Sequence, residues 1–180
     1  MTSTSPHDLW RALISDVPDW PEPGVTFKDI TPLLADGVEF SLVIDAMATS
    51  WAGRVDVVAG IEARGFVLGA PIAHRLGLGF VPLRKQGKLP RDTHAAQYDL
   101  EYGTATLEVH ADAFAPGARV LVVDDVLATG GTAAAAVGLV DRAGARVVGL
   151  SVLMELTFLG GRATLEGSAP DLPLHVLLAY

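Results

Sequence analysis

The sequence predicts an α/β fold, a mainly parallel central sheet flanked by helices. Three observations predict it. Apolar stretches alternate with stretches of helical periodicity at 56–61, 65–76 and 79–84, and again at 119–124, 131–142 and 146–155, the pattern of parallel strands joined by helical crossovers. A glycine turn, Thr129-Gly130-Gly131-Thr132, stands between one such strand and its helix. The chain has 180 residues, which suits a single domain over 1–180.

Taken in order, Ser5, Pro6 and Asp8 supply an N-cap, a first-turn proline and an acidic N3, and Leu9, Leu13 and Val17 follow at helical spacing. A first helix ending at Pro18 is predicted. Pro18 to Gly24 holds three prolines and a glycine, so it takes an extended or turning path that delivers Val25 to Ile30 to the core. A second amphipathic helix over 38–51 carries Phe40, Ile44, Met47 and Trp51 on one stripe. After the first strand, helix and strand of the alternation comes a polar stretch, 85–97, and then a hairpin over 98–108 that turns near Gly103. The helix over 131–142 contains Ala133 to Ala136, suited to tight packing, and is closed by Gly144.

Composition narrows the function. A net charge of -8 and a pI near 4.9 oppose nucleic-acid binding, which needs basic side chains to neutralise phosphates. Half the residues are hydrophobic and the mean hydropathy is +0.38, yet no stretch reaches the roughly 18 to 20 apolar residues of a membrane span. The apolar excess points instead to burial between subunits, and a homodimer is expected. With no cysteine, thiol chemistry and thiolate metal sites are excluded. Met1 to Trp10 lacks a basic segment followed by an apolar one, so a cytoplasmic location is expected. The five histidines form no metal-ligand spacing.

The most informative segment runs from Val120 to Thr132. An apolar strand leads into Asp124 and Asp125, then into the Thr-Gly-Gly-Thr turn that opens a helix. Free N–H groups at a helix start, glycines that permit close approach and two hydroxyls together make an anion site. The two carboxylates suit the hydroxyls of a ribose. The plainer alternative is a glycine turn with two solvated aspartates. A Walker A loop is excluded, because neither Gly60-Ile-Glu-Ala-Arg-Gly65 nor the Thr132 loop has its lysine, and no GxGxxG follows a strand.

With these residues in place, the chain resembles the type I phosphoribosyltransferases, and among them the branch that works on adenine. Their motifs appear as Pro23-Gly-Val-Thr-Phe-Lys-Asp-Ile-Thr-Pro32, Gly60-Ile-Glu-Ala-Arg-Gly-Phe66, Arg84-Lys-Gln-Gly-Lys-Leu-Pro90, Tyr98-Asp-Leu-Glu-Tyr-Gly103, the Asp124 to Thr132 loop and Glu155-Leu156. The resemblance implies transfer of a 5-phosphoribosyl group from 5-phosphoribosyl 1-diphosphate to N9 of adenine, giving AMP and pyrophosphate, a purine salvage step. It implies an N-terminal hood over about 1–33 and a flexible loop and hairpin over about 85–110. Asp124, Asp125, Ala128, Thr129, Gly130, Gly131 and Thr132 would hold the ribose and its 5′-phosphate. Glu62, Ala63, Arg64, Arg84, Lys85 and Lys88 would meet the pyrophosphate, with a cis peptide between Glu62 and Ala63. Val25, Phe27, Lys28 and Arg64 would bind adenine, Phe27 by stacking; Lys28 stands where some relatives carry arginine. Glu101, Arg64 and Lys88 would be catalytic, Glu101 as the acid or base near the purine N7 or the ribose. Mg2+ would be carried mainly by substrate oxygens near Asp124 and Asp125.

Three competitors are weighed against this reading. An enzyme of the same class could take an oxopurine, a noncatalytic regulator could sense the sugar diphosphate, and a diphosphokinase could make it. A regulator would ordinarily add a DNA-binding module, whereas only about two dozen residues precede the core here and the chain is acidic overall. The diphosphokinase would need a longer chain.

Overall fold

The computed structural model describes residues 5–99 and 104–180. They form two compact units, 1–45 and 46–180.

In the first unit, α1 (Pro6–Ala12) begins as expected: the Ser5 side chain accepts the His7 N–H and proline occupies the first turn. It stops at Ala12, six residues before Pro18, because Ser15–Pro18 forms β1 and pairs antiparallel with β2 (Thr26–Asp29). The helical spacing of Val17 was a coincidence of a short strand, and pairing with β2 decides the conformation. Between the strands, Asp19 Oδ1 accepts the Gly24 N–H at 2.7 Å and the Trp20 N–H reaches Val25 O at 3.1 Å, while the Trp20–Pro21 peptide is cis. A short helix not anticipated, α2 (Thr31–Ala35), follows and buries Leu33. α3 (Gly37–Thr49) then replaces the expected 38–51 helix. Its Glu39 accepts the indole N–H of buried Trp10 at 3.0 Å.

The second unit is built on a seven-stranded sheet among the described residues. Its strands in chain order are β3 (Val57–Ile61), β4 (Gly79–Lys85), β5 (Thr93–Asp99), β6 (Thr104–His110), β7 (Arg119–Leu127), β8 (Arg146–Glu155) and β9 (Leu174–Ala179). Across the sheet they run β5-β6-β4-β3-β7-β8-β9. The four pairings from β4 to β9 are parallel, and β6 pairs antiparallel with both β4 and β5. The sheet is mainly parallel with an antiparallel excursion at one edge, as the sequence predicts. The polar stretch 85–97 is only partly loop, since β5 already starts at Thr93, and the hairpin's expected turn at Gly103 lies outside the described residues.

The crossover β3–α4–β4, with α4 at Arg64–Leu76, moves one way along the sheet, and β7–α5–β8, with α5 at Gly131–Arg142, moves the other. Right-handed crossovers in opposite directions put the two helices on opposite faces. On the α5 face Ala59, Ile61, Val120 and Val122 pack with Ala136 and Val140, all almost fully buried. The central strands are buried on both faces, which is why they read as continuous apolar runs. After β8 come a 3-10 turn (Thr157–Leu159) and α6 (Gly161–Ser168), neither anticipated.

Trp51, 2 % exposed, lies beyond the end of α3 and lays its ring edge on Gly149 of β8, where no side chain would fit. Trp51→Ala is expected to cost about 3–5 kcal/mol, the usual effect of removing a buried aromatic, read as a lower midpoint in urea unfolding. A change below about 1 kcal/mol would show that the ring is not part of the core.

Candidate active site

From β3 the next strand, β4, lies on one side and β7 on the other. The chain order therefore reverses between β3 and β7, and open α/β sheets place ligands in the crevice beyond the carboxyl ends of strands at such a point. Two stretches singled out in the sequence emerge there: Glu62-Ala63-Arg64 from β3 and Asp124 to Thr132 from β7.

β7 carries both acids within the strand and ends three residues later than expected, at Leu127. Asp125 is 3 % exposed, and its Oδ2 lies 3.0 Å from the Arg64 Nε in an ion pair that lacks the alignment of a hydrogen bond. Asp124 Oδ1 accepts the Asp125 N–H at 2.9 Å. Arg64 opens α4, and the following residue explains how it comes so near: a Cβ on Gly65 would sit 2.6 Å from Val123 O and 3.1 Å from Asp124 Oδ1. Any larger residue would push α4 and Arg64 away from the acids.

Past the acids, Gly130 takes a left-handed conformation (φ 88°) as the N-cap of α5, and no side chain caps the helix. The first-turn N–H groups of α5 thus have no intrahelical acceptor, which is the arrangement that favours an anion. A cavity of about 110 Å³ lies against this loop, lined by Asp124, Val126, Ala128, Thr129, Gly130 and Thr132 among others. A larger one, about 680 Å³, runs along α5 past Tyr98 and Thr164 and shares Thr129 and Gly131 with the loop, but neither Asp124 nor Asp125 lines it.

The basic residues gather on the other stretch. Parallel pairing sets Ile61 beside Leu83, so Glu62 meets the end of β4. The Glu62–Ala63 peptide is cis, as the resemblance implies. Glu62 Oε1 accepts Lys88 Nζ at 2.5 Å, while Oε2 accepts the Lys85 backbone N–H at 3.0 Å and Arg84 Nε at 3.3 Å. Arg84 also donates to Lys88 O at 3.0 Å. Burial raises the Glu62 carboxyl, but the hydrogen bonds and charge of Lys88, the Lys85 amide and Arg84 outweigh it and hold the group below its usual value.

The aspartates behave in the opposite sense. Burial, then the charge of Asp125, pushes Asp124 well above the usual carboxylate range. Burial also raises Asp125, against the pull of Arg64. A raised acid holds its proton more tightly in the folded state, so this pair opposes folding as pH climbs from the ordinary 3.8 through the raised values. If these acids accept from the ribose hydroxyls, as the resemblance implies, the same proton removes an acceptor. As pH falls into this window, the KM for the sugar diphosphate is expected to rise while the thermal midpoint of the free protein rises too. Asp56, held down to about 2 by the Arg119 side chain and amide, loses its contribution only below 3.8, and Glu62, held below 4.5, only beneath that value, so the part of the window above 4.5 reports the aspartate pair. A midpoint that falls through the window, or is unmoved by Asp124→Asn, would contradict this.

Of the other expected site residues, Glu101 lies outside the described residues. Val25, Phe27 and Lys28 belong to the first unit. Val25 is 40 % exposed, Phe27 is half-buried with Trp20 edge-on at 4.3 Å between ring centroids, and Lys28 Nζ is 2.6 Å from Asp16 Oδ1. Sequence reasoning did not single out Trp20, nor Gly161 and Thr164 of α6, which touch the Ala128–Gly130 turn. The Glu155-Leu156 motif, quoted only as part of the resemblance, stands at the end of β8 just before α6.

Residues 41–168 match the phosphoribosyl transferase domain family. The chain is 62% identical over 162 residues to an adenine phosphoribosyltransferase of Acidothermus cellulolyticus, covering 89% of this chain and 92% of that one. It is 59% identical over 180 residues to the one of Streptomyces coelicolor, covering 97% and 98%. Among solved structures, adenine phosphoribosyltransferase from Thermoanaerobacter pseudethanolicus superposes with a TM-score of 0.91 at 46% identity, covering 97% and 99%. The Giardia lamblia enzyme, complexed with 9-deazaadenine, gives 0.91 at 37% identity over 99% of each chain. Sequence motifs, strand order and overall likeness agree, and the chain belongs to the phosphoribosyltransferase family, on its adenine phosphoribosyltransferase branch.

Proposed function

We propose that the chain transfers the 5-phosphoribosyl group of 5-phosphoribosyl 1-diphosphate to N9 of adenine, releasing pyrophosphate and forming AMP. The observation that carries the reading is the pair of charge clusters at the carboxyl ends of adjacent strands, Arg64 with Asp125 and Glu62 with Arg84 and Lys88. One offers acceptors to a diol and the other offers cations to a diphosphate.

In this reading the Thr129 to Thr132 amides and hydroxyls take the 5′-phosphate, with Ala128 completing the turn. Asp124 and Asp125 accept from the ribose hydroxyls. The backbone at Glu62, Ala63 and Lys85 and the side chains of Arg64, Arg84 and Lys88 meet the diphosphate. As the C1′–oxygen bond breaks, C1′ becomes cationic and charge grows on the departing oxygens, so fixed cations there lower the barrier more than they aid ground-state binding. N9 of adenine then bonds to C1′ and its proton departs. Phe27 supplies a stacking face for the base, Val25 and Lys28 its edge contacts, and Glu101 the acid or base beside N7 or the ribose. The 9-deazaadenine bound by the Giardia lamblia relative is consistent with an adenine-shaped base.

Mg2+ belongs to this reading as a companion of the substrate. No group of three or more carboxylates and histidines able to hold a metal occurs among the described residues. Two adjacent acids fit an ion that takes most of its ligands from substrate oxygens and water. Asp124 and Asp125 would be the residues that hold it, and bound there it would neutralise diphosphate charge.

The 180 residues act as one phosphoribosyltransferase domain with its hood at about 1–33 and, at about 85–110, a loop and hairpin of which the stretch carrying Lys88 closes over the substrate. The working form is a cytoplasmic homodimer, for which exposed Val38 (69 %) and Phe158 (74 %) offer apolar surface. No helix among the described residues is long and apolar enough to cross a membrane.

The test incubates the protein with the sugar diphosphate, Mg2+ and each purine in turn, following pyrophosphate release. Turnover with adenine alone is expected. Faster turnover of hypoxanthine or guanine would overturn the choice of base, and no pyrophosphate from any purine would overturn the reaction.

A further inference from the structure

A glycine loop that grips phosphate through its amides has few side chains with which to hold its own shape. Its geometry has to be imposed from outside, since displacements of a fraction of an ångström already weaken such contacts. In this protein α6 meets the loop backbone to backbone. A Cβ on Gly130 would collide with Gly161 O and lie 2.9 Å from Thr164 Cβ. A Cβ on Gly161 would collide with Ala128 O and lie 3.1 Å from Gly130 N. No side chain can be inserted between the two turns from either partner.

The helix is itself tied to the root of the loop. Arg162 sets its planar fork on Glu155, Nη2 to Oε2 at 2.7 Å and Nε to Oε1 at 3.2 Å, and Glu155 is 5 % exposed. Glu155 ends β8 directly beside Leu127, the last residue of β7, and the Leu156 N–H donates to Leu127 O at 2.9 Å. Leu165, 2 % exposed, fixes the next turn of α6 in the core. The contacts close a ring: the end of β7, the phosphate loop, the first turn of α6, Arg162, Glu155 and back to β7.

We propose that Gly161 and Arg162 are positioning residues for the 5′-phosphate, with the first turn of α6 serving as the rigid back of the Ala128 to Thr132 loop and the Arg162–Glu155 fork locking it in place. The inference rests on the loop being the phosphate grip. It assigns to the segment between β8 and β9 a role in sugar-diphosphate affinity and none in adenine affinity.

The test compares full-length Gly161→Ala, Arg162→Ala, Arg162→Lys and Thr132→Val by calorimetric titration with 5-phosphoribosyl 1-diphosphate in Mg2+, by KM for each substrate, and by thermal midpoint. Gly161→Ala is expected to weaken sugar-diphosphate binding about tenfold or more, Arg162→Ala about three- to tenfold, with Arg162→Lys between Arg162→Ala and wild type and the KM for adenine within about twofold throughout. Wild-type affinity in the α6 variants beside a weakened Thr132→Val would overturn the proposal and leave the phosphate loop standing. Wild-type affinity in Thr132→Val as well would bring down the loop reading itself. Equal losses for adenine and for the sugar diphosphate would mean a merely structural role and overturn the proposal. Should Gly161→Ala fail to fold, the graded Arg162 series decides by the same criteria.

Discussion

Asp125→Ala is expected to lower kcat/KM for 5-phosphoribosyl 1-diphosphate by about 10²- to 10⁴-fold, corresponding to the loss of one charge-assisted hydrogen bond and of the ion-pair partner of Arg64 at about 1.5–3 kcal/mol each. Asp125 exposes only 3 % of its surface, and its carboxylate forms a 3.0 Å ion pair with Arg64. Truncation removes the acceptor for a ribose hydroxyl and also the ion-pair partner of Arg64, which the proposed mechanism needs beside the diphosphate and the base. Both losses fall on the transition state, where the sugar must be held while C1′ carries charge, so kcat and KM should both worsen. Asp125→Asn keeps the volume and one acceptor and should fall short of the alanine effect. Stability should move the other way. Burial already disfavours the ionised Asp125, so the neutral amide is expected to leave the thermal midpoint of the free protein at or above that of the wild type. Steady-state kinetics against the sugar diphosphate with a parallel melting curve check the claim. An Asp125→Ala protein within tenfold of wild type would remove the ribose from this end of β7.

The central part of this molecule was legible because local and global signals coincide there. From Val120 to Thr132, an apolar run, two acids and a glycine turn each allow one kind of neighbour, and the strand, loop and α5 fall where their chemistry indicates. Elsewhere a local signal was overruled. Val17 fits a helix that begins at Ser5, but β1 pairs with β2 and the helix ends at Ala12. Gly160 caps α6 and Gly161 begins it where the helix touches the Ala128–Gly130 turn, a contact made across the fold that no local signal carries. The acids and the basic residues were identified singly, but their partnerships were invisible. Glu62 meets Arg84 and Lys88 from 22 and 26 residues away, and only the parallel register of β3 on β4 brings them together. In the same way Arg64 reaches Asp125 because Gly65 lets α4 close on β7.

Those partnerships make Lys88 the site of the second large effect. Its ammonium rests on Glu62 at 2.5 Å while Arg84 holds the Lys88 carbonyl at 3.0 Å, so the cation is already delivered to the end of β3 before any substrate arrives. In the proposed reaction the diphosphate takes over that charge as its bond to C1′ breaks. Lys88→Ala is therefore expected to lower kcat by about 10²- to 10³-fold, the usual effect of losing one preorganised donor to a developing anion, and to raise the KM for the sugar diphosphate by less than about tenfold. The variant also removes the ammonium that does most to offset burial at Glu62, which leaves a less compensated carboxylate facing the diphosphate. Part of the loss is then repulsion by Glu62 as well as absence of Lys88. Adding Glu62→Gln to Lys88→Ala should recover about tenfold of kcat, although Glu62→Gln alone, which loosens the hold on Lys88 and Arg84, should be harmful. Single-turnover measurement of pyrophosphate release for the four proteins of this cycle separates the chemical step from product release. Additive losses would mean that Glu62 and Lys88 act independently of one another, and a Lys88→Ala kcat within twofold of wild type would leave the departing diphosphate to other cations.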